Sequence, residues 1–142
     1  MRSRDQVIWD FVQGWLRKAE NDLEVAQALM AGAGEYGQAV GFHCQQAAEK
    51  FMKAFLVRHQ MEFPKTHDLE ALRGLIGQSD EKLAEALAFV DWLTPFGVEA
   101  RYPGTIPDVE RGTAQRAITD AERARRLVRA ALQDYLSTQR PG

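Results

Sequence analysis

Apolar residues return at every third or fourth position through several stretches of the chain, and the intervals between them hold most of the glycines and prolines. From Asp5 to Met30, Ile8, Val12, Trp15, Ala19, Leu23, Ala26 and Met30 fall on one helical face, widened by Leu16 and Leu29. Ser3 is placed to cap this helix, and Gly14 predicts a weak point that frays or separates its first turns. The run AGAGEYG turns the chain. A second helix is predicted from about Tyr36 to His59. On a helical wheel Tyr36, Val40, Cys44, Ala47, Ala48, Phe51, Met52 and Phe55 gather on one side, and Gln45, Gln46, Glu49 and Lys53 on the other. His43 and Lys50 fall on the border, and the small residues Ala47, Ala48 and Ala54 allow a neighbouring helix to approach closely.

Pro64 stops any continuation and holds Phe63 extended. Thr66 or Asp68 then caps a short third helix carrying Leu69, Leu72, Leu75 and Ile76, closed by Gly77. Ser79 or Asp80 starts a fourth, with Leu83, Ala84, Leu87, Val90 and Leu93 inward, ending at Thr94–Pro95. The segment FGVEARYPGTIPD is predicted to be a long loop, of the kind that is usually functional. A last helix runs from near Pro107–Asp108 to about Leu136, with Ala114, Ile118, Ala121, Val128, Ala131, Leu132 and Tyr135 inward. Its Arg116, Arg123 and Arg126 lie away from that stripe, interleaved with Asp120, Glu122 and Asp134, and are expected to form a solvated face. No period-two strand pattern occurs. The expected fold is all-α: an antiparallel up-and-down helical bundle in one domain, residues 1–142, with its core at about 15–136.

Composition narrows the function classes. With 142 residues, 45% hydrophobic and 27% charged, the chain has the balance of one globular domain with a real core. A net charge of −2 argues against indiscriminate coating of nucleic acid, although a local basic patch is compatible with it. The single cysteine excludes an internal disulfide and fits a reducing compartment. There is no apolar run of about 20 residues for a membrane span and no continuous apolar stretch near the start, so a cytoplasmic protein with no membrane association is expected.

Candidate chemistry concentrates at three places. Along the border of the second helix, His43, Gln46, Lys50 and Lys53 combine an imidazole, an amide and two ammonium groups, a set suited to a phosphate or a nucleobase edge. Asp22, on the flank of the first helix's stripe, is placed to orient a lysine or histidine of the second. Lys65, His67 and Asp68, with Thr66, sit at a helix start, where free N–H groups favour anions. Arg101 and Tyr102, in the long loop, pair a phosphate fork with a stacking ring. Each has a plainer reading: His43 as a bridge between helices, Lys50 solvated, Asp22 in a partly exposed ion pair, Lys65–Asp68 as a capping segment, Tyr102 as a pin for the loop. Cys44 belongs to the apolar stripe and is expected to be buried. No glycine-rich phosphate loop, HExxH pair or GxSxG elbow is present, and the histidines and cysteine have no metal-ligand spacing. No metal, no cofactor and no catalytic residue is assigned.

The order of motifs is informative. A-x-x-D-L-x-x-A at Ala19–Ala26, then FHCQQAAEKFMKAFL, then PKTHDL, then ARYP before a final long helix, closely resembles the HEPN domain, over roughly Trp15 to Leu136. The resemblance implies a bundle of about five helices, a homodimer, and an association with nucleotides or RNA. It also implies a minimal nucleotidyltransferase as protein partner, in a two-gene cassette that can behave as toxin and antitoxin. HEPN ribonucleases carry an Arg followed, after four to six residues, by a His. Here eight residues intervene between Arg58 and His67, and neither His43 nor His59 has an arginine at the family distance. The expected function is therefore a non-catalytic nucleotide- or RNA-binding module acting with a nucleotidyltransferase. The alternatives are a ribonuclease or toxin with a different constellation, built on His67, Lys65 and Arg101, and a purely structural interaction module.

Overall fold

The computed structural model describes residues 1–98 and 108–142. It is an all-α bundle built on α1 (Arg4–Ala31), α2 (Gly37–Arg58) and α6 (Arg111–Ala131). Between α2 and α6 lie α3 (Leu69–Gly77), α4 (Glu81–Ala86), a 3-10 helix (Ala88–Leu93) and α5 (Thr94–Val98); α7 (Gln133–Leu136) follows α6. No strand occurs among the described residues, and none of their helices is long and apolar enough to cross a membrane.

α2 is the centre of the molecule, packed on both α1 and α6. Its buried Val40, Cys44, Ala47, Ala48, Phe51, Met52, Phe55 and Leu56 meet Val12, Leu16, Ala19, Leu23 and Ala26 of α1. On the α6 side the buried stripe is Ala114, Ala117, Ile118, Ala121, Ala124 and Val128. Five of these six lack bulk beyond Cβ or nearly so, four being alanine, which lets the two axes come close. Burying each larger side chain contributes about 1.5–3 kcal/mol.

α1 runs against both long neighbours, whereas α2 and α6 share one direction. Gly37 at the start of α2 lies on Val109, just before α6, and Arg58 at its end lies over the Tyr135 ring at 4.3 Å. The chain uses α3 to α5 to return to the end from which α6 starts.

Three boundaries differ from those predicted; one is the last helix, which starts at Arg111 rather than near Pro107–Asp108 and ends at Ala131, with α7 separate. Gly14 does not interrupt α1, because its first turns are held elsewhere. Ser3 and Gln6 form a reciprocal capping box, and the Trp9 ring packs on Tyr135 at 5.1 Å. The predicted fourth helix is three pieces rather than one. Pro95 does not end it; it sits in the first turn of α5, where its missing N–H is harmless. Within the 3-10 piece Phe89 and Trp92 are three residues apart and therefore eclipsed, facing the same neighbour.

Candidate functional site

The polar groups of α2 do not face open water. Gln45, Glu49 and Lys53 are buried, with Lys53 only 8% exposed, so the predicted solvent side of this helix is covered. The cover comes from two directions. Trp15 of α1 and Phe63 of the α2–α3 connection stack edge to face at 6.5 Å, and the Lys53 ammonium lies 5.3 and 5.5 Å from their ring centres. α2 ends at Arg58, where Gln60 turns the chain with φ 55° and the Met61 N–H returns to the Leu56 carbonyl, and the residues that follow bring His67 down on Glu49.

Glu49 is the branch point. Its Oε1 accepts from Gln45 Nε2 at 3.2 Å and lies 2.7 Å from His67 Nδ1, and its Oε2 accepts from Lys53 Nζ at 3.0 Å. Gln45 Nε2 also donates to the His67 carbonyl at 2.9 Å, fixing backbone and ring of the same residue. Gln46 Nε2 donates in turn to Gln45 Oε1 at 2.7 Å. Behind Gln45 is Gly97 of α5, where a Cβ would fall 2.6 Å from the amide, so only glycine lets α5 close on this network. The carboxylate is 4% exposed while the His67 side chain is 43% exposed. A buried anion thus holds one face of an imidazole that is open on the other. In the tautomer whose Nδ1 donates to the carboxylate, Nε2 is the ring's acceptor for a ligand.

A second network lies further along the same border. Asp22, buried on α1, takes His43 Nδ1 at 2.9 Å on one oxygen and the Lys50 ammonium on the other. The His43 and Lys50 side chains are 29% and 19% exposed. Asp22 does orient both a histidine and a lysine of the second helix, and His43 does bridge helices. Lys50 is not simply solvated.

Of the predicted residues, Lys53 and His67 converge on Glu49, Gln46 joins them only through Gln45, and His43 and Lys50 converge on Asp22. Lys65 is exposed and belongs to neither group. Asp68 caps α3, accepting from the N–H groups of Glu70 at 3.0 Å and Ala71 at 3.4 Å. Arg101 and Tyr102 lie outside the described residues. The assignment missed Glu49, Gln45 and the aromatic cover of Trp15 and Phe63. The i, i+4 spacing of Gln45, Glu49 and Lys53 was the available signal, since three such polar side chains on one helical row can form a single chain of hydrogen bonds.

Cys44 is fully buried, and desolvation, with the charges of Glu122, Asp120 and Asp22, pushes its thiol up to about 12. It is a packing residue. A cavity of about 660 Å³ lies where the AGAGEYG turn meets the start of α6, lined by Met30, Tyr36, Val109 and Arg111 together with the carboxylates of Glu35, Asp108 and Glu110. Its guanidinium is already donating to the Met30 carbonyl at 2.7 Å, and its acids disfavour a phosphate. None of the Glu49 or Asp22 partners borders it.

A family model described as the HEPN domain matches residues 12–131. That span includes both charged networks and the whole of α2. No curated protein and no solved structure gives a match.

Proposed function

Because the chain belongs to the HEPN family, we propose that it is a nucleotide- or RNA-binding module that recognises rather than cleaves, and that it acts beside a nucleotidyltransferase. The observation that carries this reading is the half-exposed His67 imidazole held by buried Glu49. A ring fixed in one orientation, with Nε2 as its acceptor, suits the N–H edge of a base or a ribose hydroxyl. Trp15 and Phe63, both half-buried beside Lys53, offer the flat apolar surface that a base stacks on.

The charge count favours recognition over chemistry. Lys53 and His67 share Glu49, and Lys50 and His43 share Asp22. The two ammonium groups are each neutralised at short range, so this arc has no surplus positive charge to stabilise a phosphorane. The absent Arg-to-His spacing points the same way. A homodimer in which two such arcs read one RNA, and a cassette partner that modifies the chain or its ligand, complete the proposal.

Thermal unfolding with a panel of mononucleotides tests it. A ligand at about a hundredfold excess over Kd adds about 2.7 kcal/mol and raises Tm by several degrees. Glu49→Gln and His67→Ala are expected to abolish that rise. No rise with any nucleotide, together with no nucleotidyltransferase gene beside this one, would contradict the reading.

One observation favours a second reading. Glu49–His67 is also the orienter-and-base geometry of acid–base catalysis, and exposed Lys65 lies two residues away. RNA cleavage by the purified protein, lost in His67→Ala, would establish it; intact RNA after long incubation excludes it.

A further inference from the structure

We propose a separate anion-binding ladder where α6 crosses the 3-10 helix, and assign single-stranded RNA as its ligand. Arg116 lies over the Trp92 ring with its guanidinium carbon 4.2 Å from the centroid, and Arg123 lies over the Phe89 ring at the same distance. The arrangement follows from two periods. Residues seven apart on an α-helix share a face about 10 Å apart along the axis, and residues three apart on a 3-10 helix eclipse. The arginines are about 10.5 Å apart along α6 and the rings about 6 Å apart along the 3-10 helix, and the long arginine stems make up the difference to set one guanidinium over each ring.

Stacking fixes these groups without using their donors. Each ring has a guanidinium carbon 4.2 Å from its centre, and among the described residues no hydrogen bond between side chains takes up the donors of Arg116 or Arg123. The Arg116 side chain is 65% exposed, Arg123 is exposed, and Arg126, three residues further along the same face, is exposed as well. The flanking acid, Asp120, is 15% exposed and accepts from Trp92 Nε1 at 2.7 Å, which anchors the ring; it is 3.9 Å from Arg116 Nε. Asp91, on the same 3-10 helix, is engaged by a fork from Arg73 at 2.7 and 3.1 Å. Asp120 and Asp91 are thus engaged from within, Glu122 is half-buried, and the three arginines are exposed.

A solvated arginine face, as the sequence pattern predicts, would have mobile side chains with no fixed spacing. Here the forks are held in place, so less side-chain freedom is lost when they bind. Planar forks at fixed intervals match phosphate oxygens, and the half-buried rings at their side give a flanking base an edge to stack on. An acidic peptide presents carboxylates without that stacking partner. The ladder is independent of the Glu49–His67 reading: its residues lie on α6 and the 3-10 helix, and their hydrogen bonds and ion pairs go to Asp120 rather than to that network.

The test is fluorescence anisotropy of the full chain with a labelled oligouridylate of about 12 nucleotides, measured across a salt series. Arg116→Ala/Arg123→Ala is expected to weaken binding about tenfold or more and to lower the salt slope by about 1.4, at about 0.7 per lost phosphate contact. Arg116→Gln/Arg123→Gln keeps the stems over the rings and should show the same loss if the alanine variant unfolds. Arg116→Lys/Arg123→Lys keeps charge without the planar fork and should recover only part of the affinity. Gly74→Ala, at an exposed position of α3 where a Cβ meets nothing within 4 Å, should leave affinity and slope unchanged. Wild-type binding that is absent at low salt, unaltered in the folded double variants, or weaker than binding of a Glu-rich peptide would overturn the assignment.

Discussion

Glu49 does more for this molecule than any other single polar group. It is buried, and it accepts from a lysine, a histidine and a glutamine at once. Removing it leaves the Lys53 ammonium buried and unpaired, so Glu49→Ala is expected to cost about 3–5 kcal/mol in urea denaturation. Replacing both charges with apolar residues of similar size, Glu49→Leu/Lys53→Met, should recover most of that loss while still abolishing nucleotide binding. If the double variant is as unstable as the single one, the buried pair is not the source of the cost. Part of this was legible in the sequence. Asp22 on the flank of α1 pointed to a basic partner on α2, and it has two. The burial of Glu49 and Lys53 was not legible, because a helical wheel shows which residues share a face and not what covers it. The cover is Trp15 and the returning segment after Pro64, which come from elsewhere in the chain.

At the level of elements, the glycines separate into those the packing needs and those it tolerates. A Cβ on Gly41 would fall 2.7 Å from the Phe96 ring, so Gly41→Ala should push α5 off α2 and loosen the Gln45 network behind it. A Cβ on Gly14 meets nothing within 4 Å in the middle of α1. Gly14→Ala is therefore expected to stabilise the protein by about 0.5–1 kcal/mol, seen as a higher Tm with unchanged ligand binding. A lower Tm would show that α1 is bent or strained there. The three long helices follow the apolar period closely; α1 and α2 end within a residue or two of the predicted positions, whereas α6 is shorter than predicted at both ends. The segment after α3 does not, because the demands of Trp92 on Asp120, Asp91 on Arg73 and both rings on α6 select a tighter winding. Those partners are distant in sequence, so local pattern carries no trace of them.

For the whole molecule, two ionisable groups set the response to acid. His59 stacks on Phe55 at 4.3 Å, and desolvation, followed by the charge of Arg58, lowers its pKa from the ordinary 6.5. The unfolded chain then binds the proton more readily, so this group's contribution is full above 6.5 and is lost as pH falls through the folded value. Asp10 ties the two ends of the chain, taking a fork from Arg140 at 2.8 and 3.0 Å and a bond from Arg2 at 2.8 Å. The Arg140 fork, then Arg2, hold its carboxyl well below the ordinary 3.8. Its contribution is present above that ordinary value and is lost only in deeper acid. His59→Gln should flatten the fall in Tm between about pH 7 and about pH 5.5, and Asp10→Asn should leave that window unchanged. A mild-acid loss that persists in His59→Gln would place its origin at another group.

The central claim is that the imidazole held by Glu49 reads a nucleotide. The most direct measurement is an NMR titration of the histidine ring resonances with mononucleotides. The account predicts saturable movement of the His67 ring, no matching movement of His59, and loss of the response in Glu49→Gln. Saturable binding that leaves the His67 ring unmoved, or no binding by any nucleotide, would contradict it.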